Sequence, residues 1–304
     1  MEIKIKREVL IVIALLSLLI VGASGCELPG SGTTSSKNGL DFSLVSGFDK
    51  ISSGKVINLG DSMKVHIKIE NYDKKERSGE ICIRDDLDDA YGGITSQCSP
   101  FLVGEAEVTG ASGGFFGATE QVQPGTTEIL LPTGGEFVYT GLPVTQTANI
   151  YITASYEQES RIEAPNGVAV PSPEVETVQL SQDPAPITAS IEKSISRQQD
   201  AYKLNLGITL TKQQAVEVFS PGFVKKGVLS FKADMFTKTL TCEPSGSYDP
   251  QLFTQGLVEI ESKKFINCFT LVDATEQTTW PLRLDVNYGV KLEKSFQFTI
   301  QVEK

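Results

Sequence analysis

Residues 59–71 read LGDSMKVHIKIEN, and this stretch decides the fold class. Apolar and polar side chains alternate along it, with Met63, Val65, Ile67 and Ile69 on one side and Lys64, His66, Lys68 and Glu70 on the other. A period of two is the pattern of a β-strand that buries one face and exposes the other. The stretch therefore predicts a half-buried antiparallel strand, whose apolar face needs another layer to cover it.

The same alternation recurs in short segments that are separated by glycine and proline. We expect further strands at 79–84, 128–131, 136–140, 149–156, 175–180, 202–210, 228–232, 257–261, 282–288 and 296–302. No convincing amphipathic helix interrupts them after residue 26. Many short strands with such turns favour an all-β protein that is built from antiparallel β-sandwiches.

Two prolines divide the chain into halves. Pro184 and Pro186 make a stiff link, which places a boundary between residues 182 and 186. The segment IYITASY at Ile150–Tyr156 is similar to LRLDVNY at Leu282–Tyr288, and each lies near the end of its half. We therefore predict two domains, at 39–182 and 186–304.

The stretch at 59–71, in which a glycine turn leads into an apolar alternation that closes on Asn71, resembles a recurring segment of Ig-like modules on archaeal and bacterial surface proteins. The segments Leu282–Tyr288 and Phe296–Val302 resemble the last two strands of such a module. The resemblance implies two Ig-like β-sandwich domains. It also implies a role as a spacer, in adhesion or in assembly, and no specific enzymatic activity.

The first twenty-six residues have the organisation of an export signal. Lys4, Lys6 and Arg7 precede an apolar run over Val9–Val21, and GASGC follows at residues 22–26. This end resembles the lipobox of a prokaryotic lipoprotein, which implies cleavage before Cys26 and acylation of its sulfur. An uncleaved anchor helix is the alternative. Both place the rest of the chain on the extracytoplasmic face of the membrane, beyond a flexible tether at 27–38.

The net charge of −11 narrows the choice of partners. No basic stripe is present to neutralise phosphates, which argues against nucleic acid as a partner. The expected partners are the membrane, through the lipid or anchor helix, and an unidentified surface protein or glycan.

Four cysteines remain after Cys26, and they lie in two groups. Cys82 is near Cys98, and Cys242 is near Cys268. Because half the chain separates the groups, we predict two local disulfides, Cys82–Cys98 and Cys242–Cys268, each within one domain. A zinc site is disfavoured, since there is no C-x₂-C spacing and only one histidine.

Few residues suggest catalysis or metal binding. His66 is the only histidine and lies on the polar side of its strand, so a solvated position is expected, and nucleophile–histidine arrangements are disfavoured. The acidic run of Asp85, Asp86, Asp88 and Asp89 is the best metal candidate. Its carboxylates could bind calcium, although the spacing does not match an EF-hand and such runs are usually solvated.

Three aromatic residues complete the set of candidates. Phe115 and Phe116 lie in the glycine-rich segment 110–117, where they either contact a membrane or partner or pack into the core. Trp280 is expected to be a packing residue at the start of a strand.

The sequence thus predicts a non-enzymatic, membrane-anchored extracytoplasmic protein without a cofactor, which acts in adhesion or cell-envelope assembly. One alternative is a calcium-dependent lectin or a carboxylate-based hydrolase that uses the Asp85–Asp89 loop. Another is a lipoprotein accessory subunit of an envelope complex.

Overall fold

The structure, a computed structural model, describes residues 39–47, 50–109, 121–170, 175–183, 185–198, 201–214, 216–235, 240–273 and 278–303. By their contacts, residues Lys37–Lys304 form one compact unit. In these ranges no helix is long and apolar enough to cross a membrane.

The chain is all-β, as the alternation predicts. The described residues also include one five-residue helix, α1 (Pro250–Thr254), and two single 3₁₀ turns, Asp89–Tyr91 and Pro221–Phe223. The strands in chain order are β1 (Leu40–Leu44), β2 (Val56–Asn58), β3 (Ser62–Met63), β4 (Val65–Asn71), β5 (Arg77–Asp85), β6 (Gln97–Val103), β7 (Glu107–Thr109), β8 (Gln121–Gln123), β9 (Gly125–Leu131), β10 (Phe137–Val138), β11 (Gln146–Glu163), β12 (Val168–Val170), β13 (Glu176–Val178), β14 (Ser181–Gln182), β15 (Ile187–Gln198), β16 (Ala201–Lys212), β17 (Glu217–Phe219), β18 (Val228–Met235), β19 (Thr241–Pro244), β20 (Leu257–Glu259), β21 (Lys263–Asp273), β22 (Thr278–Trp280) and β23 (Leu282–Gln301).

Three sheets contain most of these strands. The largest has nine strands and runs β20-β18-β23-β11-β5-β6, with β2 and β17 also paired to β23 and β14 paired to β11. A three-stranded sheet runs β1-β4-β9, and a five-stranded sheet runs β13-β15-β16-β21-β19. The other pairs are β3 with β10, β7 with β8 and β12 with β22.

The segment at 62–70 has one buried face, as predicted, but it forms two strands instead of one: β3 pairs with β10, and β4 lies in the three-stranded sheet. Val65, Ile67 and Ile69 are fully buried on β4, and Met63 is buried on β3. The inward residues of all three large sheets belong to one continuous apolar core. Burying a side chain of this size contributes about 1.5–3 kcal/mol relative to leaving it in water.

Strands β11 and β23 join the two halves of the chain. They pair in antiparallel register from Gln146↔Ile300 to Glu163↔Arg283, along the whole of β11. The boundary expected at 182–186 therefore does not separate two sheets, since strands from both sides of it are hydrogen-bonded to each other.

One expectation about β23 is wrong. The segments Leu282–Tyr288 and Phe296–Val302 are expected to be two successive strands, but both lie on one twenty-residue strand, which ends at Gln301. In the structure the residues between the two segments stay extended, because β11 supplies a hydrogen-bonding partner along their whole length.

Six strands of each half follow the same order, whereas the edge strands β13 and β19 have no counterpart in the three-stranded sheet. The first half pairs β1-β4-β9 and β11-β5-β6, and the second half pairs β15-β16-β21 and β23-β18-β20 in the same sequence. When the repeat is aligned with Tyr156 on Tyr288, Glu157 falls on Gly289. In the sheet, Glu157 of β11 and Gly289 of β23 also lie directly opposite each other. A local two-fold axis therefore passes between β11 and β23, which is consistent with two related modules.

Candidate functional site

The two predicted disulfides are confirmed. Each joins directly opposite residues of adjacent antiparallel strands, Cys82 to Cys98 on β5 and β6 and Cys242 to Cys268 on β19 and β21. Cys98 is exposed, whereas Cys268 is buried in the core. Each bridge therefore fixes a strand pair within one half of the chain.

The carboxylate of Asp85 organises the acidic loop. It accepts hydrogen bonds from the backbone N–H groups of Leu87 (3.1 Å) and Ile94 (3.0 Å) and from the hydroxyl of Tyr139 (2.7 Å). Burial, and then this hydrogen bond, raise the pKa of Tyr139 far above its ordinary value. Asp85 is thus part of the structure that closes the loop against the core.

The other aspartates of the run point in different directions. Asp86 accepts from the backbone and side-chain nitrogens of Asn149, and Asp88 caps the following turn through the N–H of Ala90. Asp89 is exposed. Within the described residues, the one group of acidic or sulfur ligands that converges is Glu80 with Cys82 and Cys98, whose sulfurs are joined in the disulfide. The structure does not bring the four aspartates to one point.

We expect calcium to leave the free energy of unfolding unchanged, whereas substitution of Asp85 should lower it. The Asp85→Ala substitution leaves two backbone N–H groups and a phenol without their acceptor, which should cost about 2–3 kcal/mol of unfolding free energy. Asp89→Ala is the matched control and should change it by less than about 0.5 kcal/mol. Urea unfolding in millimolar calcium and in chelator measures both effects. A calcium-dependent increase in stability that Asp89→Ala removes would instead support the metal site.

His66 differs from the solvated position that was expected. Its side chain is only 14% exposed and lies between the Nζ of Lys50, 2.9 Å from Nδ1, and a carboxylate oxygen of Glu128, 2.8 Å from Nε2. Lys50 donates to Nδ1, so Nε2 carries the hydrogen that it donates to Glu128. The histidine thereby ties the loop before β2 to β4 and β9.

The remaining candidates differ in whether the structure describes them. Trp280 is buried on β22 opposite Val168 of β12, which confirms its packing role. Phe115, Phe116, Cys26 and the tether at 27–38 lie outside the described residues.

A buried polar cluster lies where the two halves meet. Arg77 and Asp73 form an ion pair with side chains 7% and 0% exposed, and Gln158 of β11 donates to the same Asp73 oxygen at 3.0 Å. Arg77 also reaches the carbonyl of Glu157, just beyond the point where the pairing of β5 with β11 ends. Ser160 is buried next to them. Strands β5 and β14 pair with the same edge of β11, β5 up to Tyr156 and β14 from Ile162. The cluster thus fills the gap between these two strands.

Sequence reasoning missed this cluster, although one signal was present. Along β11 the inward positions continue from Tyr156 to Gln158, Ser160 and Ile162, so the alternation persists while two inward residues become polar. Buried polar side chains need partners. A polar residue on the apolar side of a strand therefore pointed to a buried network.

Tyr156 and Tyr288, the aligned residues of the internal repeat, lie beside this cluster. Burial raises the pKa of both phenols well above the ordinary value. A smaller lowering of the pKa comes from Leu40 for Tyr156, and from Ser160 and Ile187 for Tyr288. The Tyr288 hydroxyl accepts the backbone N–H of Ile187 at 3.1 Å. Each tyrosine thus contacts the first strand of its own half.

These two phenols predict a loss of stability in alkali. Below pH about 10 they are neutral in both the folded and the unfolded chain, so the full stability is present. Above it the unfolded chain releases protons that the folded chain retains, and each tyrosine lowers the free energy of unfolding by about 1.4 kcal/mol per pH unit. Urea unfolding from pH 8 to 11 measures the slope. Tyr288→Phe should make it shallower, and an unchanged slope would contradict the assignment.

The outer face of the nine-stranded sheet carries a polar groove with a volume of about 270 Å³. At its centre Asp285 of β23 accepts from Arg283 at 2.9 and 2.6 Å and lies 3.6 Å from Arg161 of β11. Burial by itself would raise the pKa of Asp285, but the hydrogen bonds and positive charges of Arg283 and then Arg161 lower it below its ordinary value. The carboxylate therefore stays ionised and orients two guanidinium groups.

Comparison with known proteins gives little further information. No protein-family model matches the chain, and neither does any curated protein. Among solved structures, the crystal structure of red sea bream transglutaminase is similar at 6% sequence identity with a TM-score of 0.22. The match covers 88% of this chain but only 31% of that one. A similarity this low supports no argument about fold or function.

Proposed function

We propose that this protein is a non-enzymatic binding or structural protein, held on the extracytoplasmic face of a membrane by its N-terminus. The observation that carries the proposal is the pair of disulfides, one in each half of the chain. Disulfides form and persist in oxidising compartments and are rare in the cytosol. The export signal predicted from the sequence up to Cys26 gives an independent reason to expect the same location.

The chemistry of the described residues supports a role in binding more than catalysis. His66 is held between Lys50 and Glu128, and no hydroxyl or thiol nucleophile is hydrogen-bonded to it within these ranges. A serine or cysteine mechanism needs a nucleophile within hydrogen-bond reach of its base. Asp85 and Asp86 accept hydrogen bonds from neighbouring groups that build the loop, which weakens the proposal of a carboxylate-based hydrolase or calcium-dependent lectin.

Fractionation of the native cells tests the location. The full-length protein should enter the membrane fraction, be accessible to protease on intact cells and incorporate a labelled fatty acid. Cys26→Ser keeps the size of the side chain but removes the acylated sulfur, so it should abolish the label. A cytosolic protein with alkylatable thiols would overturn the proposal, whereas an unlabelled protein that stays in the membrane would indicate the uncleaved anchor.

Crosslinking on intact cells with mass spectrometry tests the role. Contacts with surface proteins or with cell-wall material are expected for adhesion or envelope assembly. One constant, stoichiometric membrane complex would instead identify an accessory subunit.

A further inference from the structure

The polar groove is formed by three strands that lie side by side. On its floor Arg161 of β11 lies opposite Asp285 of β23, which lies opposite Lys232 of β18. The next row is Glu159, Asn287 and Ser230 in the same order. All six side chains point away from the core, because they alternate with buried residues along their strands.

The lining of the groove carries more positive than negative side chains, although Glu163 of β11 and Asp234 of β18 lie on either side of Arg283 in the adjacent row. Four cationic side chains line it but only two carboxylates, although the whole chain has a net charge of −11. Asp285 is shared between Arg283 and Arg161, so one negative charge holds two guanidinium groups in place. A guanidinium carries five N–H donors, and those that Asp285 does not use remain for a ligand.

Two lysines extend the positive surface. Lys75, which lines the groove from the loop that follows β4, is exposed and forms no ion pair with any described residue. Lys232 is 69% exposed and its ammonium pairs with Asp234, which does not line the groove. A ligand with a negative charge would therefore contact the two guanidinium groups that Asp285 orients, together with the ammonium groups of Lys75 and Lys232.

We propose that this groove binds one carboxylated sugar unit of an acidic polysaccharide. Arginines bind carboxylates with paired hydrogen bonds, so Arg283 and Arg161 would receive the carboxylate. Asn287, Ser230 and Glu159 offer donors and acceptors for hydroxyl groups.

The volume of the groove is slightly below that of pockets for drug-sized ligands, which fits a single sugar ring. The floor lacks the large apolar side chains that anchor peptides, which favours a sugar over an acidic peptide. The proposal rests on the extracytoplasmic location, where such polysaccharides are accessible.

Calorimetric titration of the full-length protein in detergent micelles tests the groove, with tetragalacturonate as the probe and its methyl ester as the uncharged control. Tetragalacturonate should bind and the ester should not, and binding should weaken as salt is added. Arg283→Gln should weaken binding about tenfold, since it removes a charge-assisted pair of hydrogen bonds.

Arg84→Gln is the matched control, because Arg84 is exposed on the outer face of the same sheet but stacks on Tyr151, away from the groove. It should leave affinity unchanged. If Arg283→Gln does not fold, Lys75→Gln, a change in an exposed loop, should still weaken binding measurably.

Three outcomes would overturn the proposal: no binding of tetragalacturonate, equal binding by the Arg283 and Arg84 variants, or tighter binding of a hexaglutamate peptide through the same arginines. Each leaves the proposed location intact, since cell fractionation determines that separately.

Discussion

Reduction of both disulfides is expected to lower the free energy of unfolding by roughly 3 kcal/mol for each bridge. The bridged cysteines are 16 and 26 residues apart, and in the chain-entropy account closing loops of this length removes similar amounts of freedom from the unfolded chain. Together this loss is a large fraction of the roughly 5–15 kcal/mol that typically stabilises a folded domain. The reduced protein should therefore unfold at much lower urea concentration.

The two bridges should also differ in how quickly they react. Cys98 is exposed and Cys268 is buried, so a mild reductant should open Cys82–Cys98 first. Alkylation followed by mass spectrometry gives the order. The double variants Cys82→Ala/Cys98→Ala and Cys242→Ala/Cys268→Ala separate the two stability contributions in urea. A loss of less than about 1 kcal/mol for both would show that the bridges are not important for stability.

Removing one partner of the buried ion pair should destabilise the fold more than removing any single bridge or loop contact. Asp73→Ala leaves the guanidinium of Arg77, only 7% exposed, without its carboxylate, and breaks the hydrogen bond from Gln158. An uncompensated buried charge typically costs about 3–5 kcal/mol. Equilibrium unfolding in urea, followed by tryptophan fluorescence, measures the loss. Trp280 is the only tryptophan and is buried in the core, so it reports on the folded state.

Two controls distinguish a charge effect from a packing effect. The double variant Asp73→Leu/Arg77→Met removes both charges at similar volume and should be more stable than Asp73→Ala. Asp234→Ala breaks the exposed pair with Lys232 and should cost less than about 1 kcal/mol. If Asp73→Ala cost no more than Asp234→Ala, the buried ion pair would not be a major source of stability.

The acidic run illustrates how far side-chain type alone predicts chemistry. Four aspartates in five positions suggest a metal site, because carboxylates are the ligands that calcium prefers. Whether such groups converge depends on the backbone between them. Here the turn directs Asp85 toward Tyr139 and Asp86 toward Asn149, so their oxygens accept hydrogen bonds in different places. Spacing along the chain does not contain this information.

The amino-acid sequence by itself determined the all-β class, the buried face of the segment at residues 62–70 and the local pairing of the four cysteines. These features depend on which side chains alternate and which lie close along the chain, so they can be read from short segments. Only the tertiary structure decided that β11 and β23 pair along their full length, that Asp73 meets Gln158, and that Arg161 and Arg283 share Asp285. These contacts join residues that are far apart in the chain. Their geometry depends on the register of two long strands, which no local pattern specifies.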